Sequence, residues 1–171
     1  MTLITPDGEA EDIYSRIEAA EALAEAQGPV IVPLAFAQAA VEARRNEKLG
    51  LSISNDTAID AVEPYFAAAD LIAIEFPGFS DGRGLSLAKK LRRAGFAGRI
   101  RASGPVIADQ FADLLACGFD EVHLPDTHAA RQPVEQWLTA KDLIGAHYQS
   151  GYGSDQSILQ KRLAARKEAP Q

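Results

Sequence analysis

Five short runs rich in β-branched and apolar residues recur along the chain, at residues 30–32, 49–54, 70–76, 99–103 and 119–124, and helical spacings of apolar residues fill the gaps between them. Strands that alternate with helices through short loops predict βαβ crossovers and a parallel sheet. The expected architecture is a three-layer, doubly wound, five-stranded parallel sheet of the flavodoxin-like or receiver-like type, strand order 2-1-3-4-5, with helices on both faces. Five units are too few to close a (βα) barrel. Run 70–76 should be buried on both faces, and Pro64 should start or kink the helix expected over 58–69.

The ends look different from this core. Residues 10–27 are rich in Ala and Glu, place Ile13, Ile17, Ala20 and Ala24 at near-helical spacing, and stop at Gly28-Pro29, which predicts an extra N-terminal helix. Beyond Ala146 the composition shifts to Gly, Ser and Tyr and then to a polar helical tail. The expected organisation is an N-terminal helical extension (1–28), an α/β domain (29–145) and a linker with a helical tail (146–171).

The chain of 171 residues carries a formal charge of −7, which argues against a nucleic-acid partner because phosphate backbones demand a positive field. The single cysteine, Cys117, excludes an intrachain disulfide and a thiolate-ligated cluster within one chain, and fits a reducing cytoplasm. The N-terminal residues show no export signal, and no window approaches a membrane span, so no membrane partner is expected. The three histidines form no metal-binding spacing, so no metal is expected, and no flavin or nicotinamide fingerprint is evident. Cys117, beside Leu114 and Leu115, reads as a small buried hydrophobe.

Basic residues concentrate in one segment. Arg83, Lys89, Lys90, Arg92, Arg93, Arg99 and Arg101 lie close together, and no Asp or Glu falls between Gly82 and Ala108. In an open parallel sheet ligands bind beyond the carboxyl ends of the strands, where the loops at Pro33, Ser54-Asn55-Asp56, Phe79 to Gly84, Ser103-Gly104-Pro105 and Pro125-Asp126 should gather. Two of these loops combine glycines, a hydroxyl and a guanidinium before a helix: Asp81-Gly82-Arg83-Gly84 with Ser86, and Arg101-Ala102-Ser103-Gly104. The expected anion-binding set is Gly82, Arg83, Gly84, Ser86, Arg101, Ser103 and Gly104, with Arg92 and Gln110 in support. Asp81 and Asp109 are the candidate acid/base groups. A plainer reading stays open, in which the glycines only shape turns and both arginines are held in salt bridges. The carboxylates and lysine of a phospho-accepting receiver are absent from the corresponding strand ends.

The motif F-x-D-G-R-G-x-S (Phe79 to Ser86), followed by Leu91-Arg92, Gly95 to Gly98, Arg101 to Gly104, Asp109-Gln110 and C-G-F-D (Cys117 to Asp120), resembles an uncharacterised bacterial family, domain of unknown function 934. Its members are commonly described as probable oxidoreductases involved in sulfite reduction. The resemblance implies a cytoplasmic accessory role in assimilatory sulfite reduction, binding an oxyanion or the sulfite reductase through the two loops. The alternative is a small enzyme acting on an anionic sulfur or phosphate-containing metabolite.

Overall fold

The computed structural model describes residues 1–23, 25–43 and 47–143. The tail expected over 146–171 lies outside the described residues. Eight strands form one sheet: β1 (Thr2–Thr5), β2 (Gly8–Ala10), β3 (Ser15–Arg16), β4 (Val30–Pro33), β5 (Leu49–Ser54), β6 (Leu71–Glu75), β7 (Arg99–Ser103) and β8 (Glu121–Leu124). Their order is β2-β1-β8-β7-β6-β5-β4-β3. β3 to β8 run parallel to their neighbours, while β1 is antiparallel to both β8 and β2. Six α-helices accompany them among the described residues: α1 (Ala37–Ala43), α2 (Ile59–Val62), α3 (Arg83–Arg93), α4 (Phe111–Cys117), α5 (Asp126–Ala129) and α6 (Val134–Leu143).

This overturns the doubly wound, five-stranded expectation. The five predicted strands are present as β4 to β8, but each new strand adds on the same side of its predecessor, and the order never reverses. Crossovers of one hand that step in one direction put their helices on one face. The sheet has a helix-covered face and a second face without that cover, and it curls into a half-barrel. The curl follows from chain length. Residues 11–14 alone join β2 to β3, which stand at opposite edges of the sheet. A flat sheet of eight strands would hold its edges about 34 Å apart, whereas the extended link reaches about 17 Å.

The alternation along each strand follows this division. Val30, Val32, Leu51, Ile53, Ile72, Ile74, Ile100, Ala102, Val122 and Leu124 enter the main core with Leu87, Ala88 and Leu91 of α3, Phe111 and Leu114 of α4, and Trp137 of α6. Their strand neighbours Ile31, Leu71 and Ala73 form a second, smaller cluster with Tyr14 on the concave face. Leu71 to Ile74 are all buried, so β6 is covered on both sides. Pro64 ends α2 after one turn and sits in a 3₁₀ turn, Glu63–Tyr65, as a ring without an N–H must.

The N-terminal helix is also overturned. Residues 1–16 supply three strands and a strap, 11–14, and among the described residues of the expected helix the one helical element is a 3₁₀ turn at Ala20–Leu23, followed by a single Ala26 N–H to Ala22 carbonyl bond. The governing period is two: Asp12, Tyr14 and Arg16 all contact the concave face. Ion pairs to strands that lie far away in sequence outweigh the helical propensity of the Ala- and Glu-rich run.

Candidate functional site

The parallel strands β4 to β8 point their carboxyl ends to one edge, so the loops named from the sequence do gather there. The two arginine loops nevertheless place their guanidinium groups on different surfaces. Arg83 opens α3 at the carboxyl edge. Arg101 is the middle residue of β7 and faces the concave side, opposite Glu121 of β8.

At the carboxyl edge, the loop after β6 is built around Asp81. Its carboxylate accepts from the Arg83 backbone N–H at 3.1 Å and from Arg83 Nε and Nη2 at 3.0 and 2.7 Å. These bonds, the side-chain ones first, hold the Asp81 carboxyl far below the usual carboxylate range. Asp56, from the loop after β5, reaches Arg83 Nη1 only at 3.4 Å, and Arg83 keeps 57% of its side chain exposed. Beside them Asn55 is buried, yet its Nδ2 has no hydrogen-bond partner among the described residues. The amide lies near enough to Asp81 to help hold down its carboxyl without reaching hydrogen-bond geometry. Phe79, in the same loop, is 55% exposed, and its carbonyl accepts from Gln110 Nε2 at 2.7 Å.

The concave face holds a denser network. Arg101, 1% exposed, donates Nη1 and Nη2 to the two oxygens of Asp12 at 2.7 and 2.9 Å and Nε to Glu121 at 2.6 Å, with Tyr14 against its guanidinium. Burial pushes its pKa down, but the carboxylates of Asp12 and Glu121 more than reverse that, so Arg101 stays charged. Burial likewise raises the Asp12 carboxyl, and the hydrogen bonds from Arg101 and the Tyr14 amide overcome it and leave it lowered. Nearer the carboxyl edge, Arg16 of β3 donates to Glu75 Oε1 at 2.8 Å and Ser103 Oγ at 3.2 Å, and Ser52 donates to the same Glu75 oxygen at 2.9 Å. His123 completes this row, with Nε2 at 3.6 Å from Asp12. Burial and then the Arg101 charge lower its pKa, so it is neutral at pH 7 and in contact with Asp12 without forming an ion pair.

Several motif residues serve the corners themselves. Gly104 has φ +124°, and a Cβ there would lie 2.3 Å from the Phe76 carbonyl oxygen; at Gly84 it would lie 2.4 Å from the Phe76 ring. Arg92 donates to the carbonyls of Phe96, Gly98 and Gly118 and pairs with Asp120, whose carboxylate also accepts the Ile100 N–H. It therefore fastens α3 to the ends of β7 and α4. Gln110 Oε1 accepts from the Ile107 N–H while its Nε2 holds the Phe79 loop, so one side chain joins both corners. Gly82 precedes α3 without a side-chain cap, and Ser86 and Asp109 are exposed. Asp109 makes no ion pair among the described residues. Cys117 is buried, and burial raises its thiol pKa, which keeps it protonated.

Sequence reasoning missed Asp12, Tyr14, Arg16, Ser52, Glu75, Glu121 and His123. A signal for the concave set was present: R-I-R-A-S and E-V-H-L alternate polar with apolar residues, which a sheet sandwiched between two helical layers does not do. No group of His, Cys, Asp or Glu among the described residues is arranged to hold a metal, and no described helix is long and apolar enough to cross a membrane. No curated protein matches the chain. Residues 50–159, which span both arginine loops, α3 and α4, match the family described as "Bacterial protein of unknown function (DUF934)", and the chain belongs to that family.

Proposed function

We propose that this protein is an accessory protein of assimilatory sulfite reduction that docks on the sulfite reductase through the loop between β6 and α3. The observation that carries the docking surface is Phe79, a large apolar side chain held in the open beside a half-exposed arginine. Aromatic and arginine side chains supply most of the energy of protein interfaces when a partner buries them. The loop does not need to fold on contact, since Asp81 and Gln110 already fix both of its ends. Association with the reductase follows from the family resemblance, and the loop supplies a rigid anchor for it.

The test is equilibrium binding of the full chain to purified assimilatory sulfite reductase. Micromolar or tighter binding, weakened at least about tenfold by Phe79→Ser and by Arg83→Ala, supports the proposal. No binding at that concentration, or binding unchanged by both substitutions, sinks it.

A second reading, oxyanion binding at the same edge, is favoured by the unspent Asn55 donor near Asp81. An anion there displaces Asp56 from Arg83, which it reaches only at 3.4 Å, and meets the Asp81 charge. Calorimetry with sulfite, sulfate and phosphate decides it, since Asn55→Leu should abolish any heat that the wild type gives.

A further inference from the structure

The opposite mouth of the curled sheet carries a site that neither reading uses. At the amino ends of β5, β6 and β7 a cleft of about 520 Å³ opens between the strap and the loops that enter these strands. That volume lies within the range of small-molecule sites, about 300–1,000 Å³. Ile13 and Tyr14 of the strap form one wall, and Lys48, Asp70, Ala97 and Arg99 lie across from them.

Two cations face this space. Lys48 makes no ion pair or hydrogen bond through its side chain among the described residues. Arg99 gives Nη1 to Glu121 at 3.0 Å, rests on the Tyr14 ring at 5.8 Å from its centroid, and leaves 46% of its side chain exposed. Glu121 is shared with Arg101, so its charge is already divided between two guanidinium groups. The one carboxylate on the wall, Asp70, is occupied on Oδ2 by the Leu49 N–H at 3.0 Å. The floor is fixed as well, because the Asp70 carbonyl accepts the Arg99 N–H and the Gly98 carbonyl accepts Arg92.

The apolar contribution is Ile13, 49% exposed and one of three large hydrophobic side chains left in the open among the described residues. Its neighbour Tyr14 is buried against the concave face, so Ile13 is held at the rim of the cleft with little freedom to turn inward. A cleft that combines an ammonium without a partner among the described residues, a half-exposed guanidinium and an exposed aliphatic side chain is complementary to a molecule with an anionic head and a short apolar body.

We infer that this amino-end cleft binds a small organic anion, its carboxylate or phosphate on Lys48 and Arg99 and its apolar part against Ile13. The site is independent of the carboxyl-edge docking loop. Amide chemical-shift titrations of the full chain with benzoate, phenyl phosphate and inorganic phosphate test it. The expected result is saturable shifts at Tyr14, Gly98 and Arg99 with both aromatic anions, at a Kd of about 1 mM or tighter. Lys48→Gln should weaken both by about tenfold, and Ile13→Ser should weaken the aromatic anions while leaving inorganic phosphate unchanged. Both positions are exposed, so the variants retain the fold, and an unchanged melting temperature verifies it. The inference is overturned if no probe saturates at these amides, if Lys48→Gln binds as the wild type does, or if inorganic phosphate binds as tightly as the aromatic anions. Shifts confined to the Phe79 to Arg83 loop overturn it equally.

Discussion

Arg83 and Arg101 belong to one short basic segment, yet they have little in common once folded. Arg83 finds its main partner two residues away, in Asp81, and stays half in water. Arg101 finds Asp12 and Glu121, 89 and 20 residues away, and is sealed from solvent. A pair made inside one turn mainly shapes that turn. A buried cation shared by β7, β8 and the strap determines whether the concave face closes, because each charge left in a low-dielectric interior without its partner is costly. The outer corner is held by contacts inside one turn, whereas the strap is held by ion pairs to strands far away in sequence.

The sharpest way to break this comparison is to remove the buried guanidinium. Arg101→Leu leaves the buried Asp12 without its cation and Glu121 with Arg99 alone, and should cost about 3–5 kcal/mol in chemical denaturation. Adding Asp12→Asn and Glu121→Gln to that variant should recover a large part of the loss, because the unpaired charges go with the cation. If the triple variant is no more stable than the single one, packing rather than charge holds the strap. A smaller effect is expected at the outer corner. Gly104→Ala forces a side chain into a positive-φ position against the Phe76 carbonyl and should cost about 2 kcal/mol in the same measurement. It should do so without altering the concave network.

The same contrast explains what the chain could reveal before folding. The five strands were legible, since each rests on a short run of neighbouring residues, and so was a disturbance at Pro64, although the helix expected over 58–69 stops at Val62 before it. Strand order was not legible, because no strand's own residues say on which side the next strand adds; the polar alternation of R-I-R-A-S and E-V-H-L spoke only against a sheet covered on both faces. The N-terminal run misled more, since the spacing of Ile13, Ile17 and Ala20 suits a helix and nothing nearby shows that Asp12 and Arg16 have partners some sixty to ninety residues ahead. The Asp81–Arg83 pair and the gathering of the loops were within reach. The concave site needed the fold first, although its polar alternation was visible in β7 and β8.

Acid should loosen the strap before it affects the outer corners. Folded His123 takes up a proton at lower pH than the unfolded chain does, since burial and Arg101 oppose its charge. Its contribution is therefore complete above about pH 6.5 and is lost as pH falls from there through the lower folded value. Asp12, also lowered, contributes above its ordinary 3.8 and loses that contribution below it. Stability measured against pH should begin to fall just below 6.5, and His123→Gln should remove this first decline while leaving the acid one. An unaltered profile in that variant would assign the decline elsewhere.

The smallest stability effect belongs to Arg83, and it tests the other half of the comparison. Arg83→Ala should leave the melting temperature unchanged, because the guanidinium lies in water and Asp81 still accepts the N–H at position 83 through its backbone. The same substitution should weaken reductase binding about tenfold or more, since a partner would desolvate a group that water surrounds in the free protein. Binding lost together with stability would mean that the loop, like the strap, is held by its charges and that Arg83 acts by shaping it. Binding lost with stability intact separates the two arginines by role: Arg101 closes the fold, and Arg83 is kept rigid at its surface for a partner.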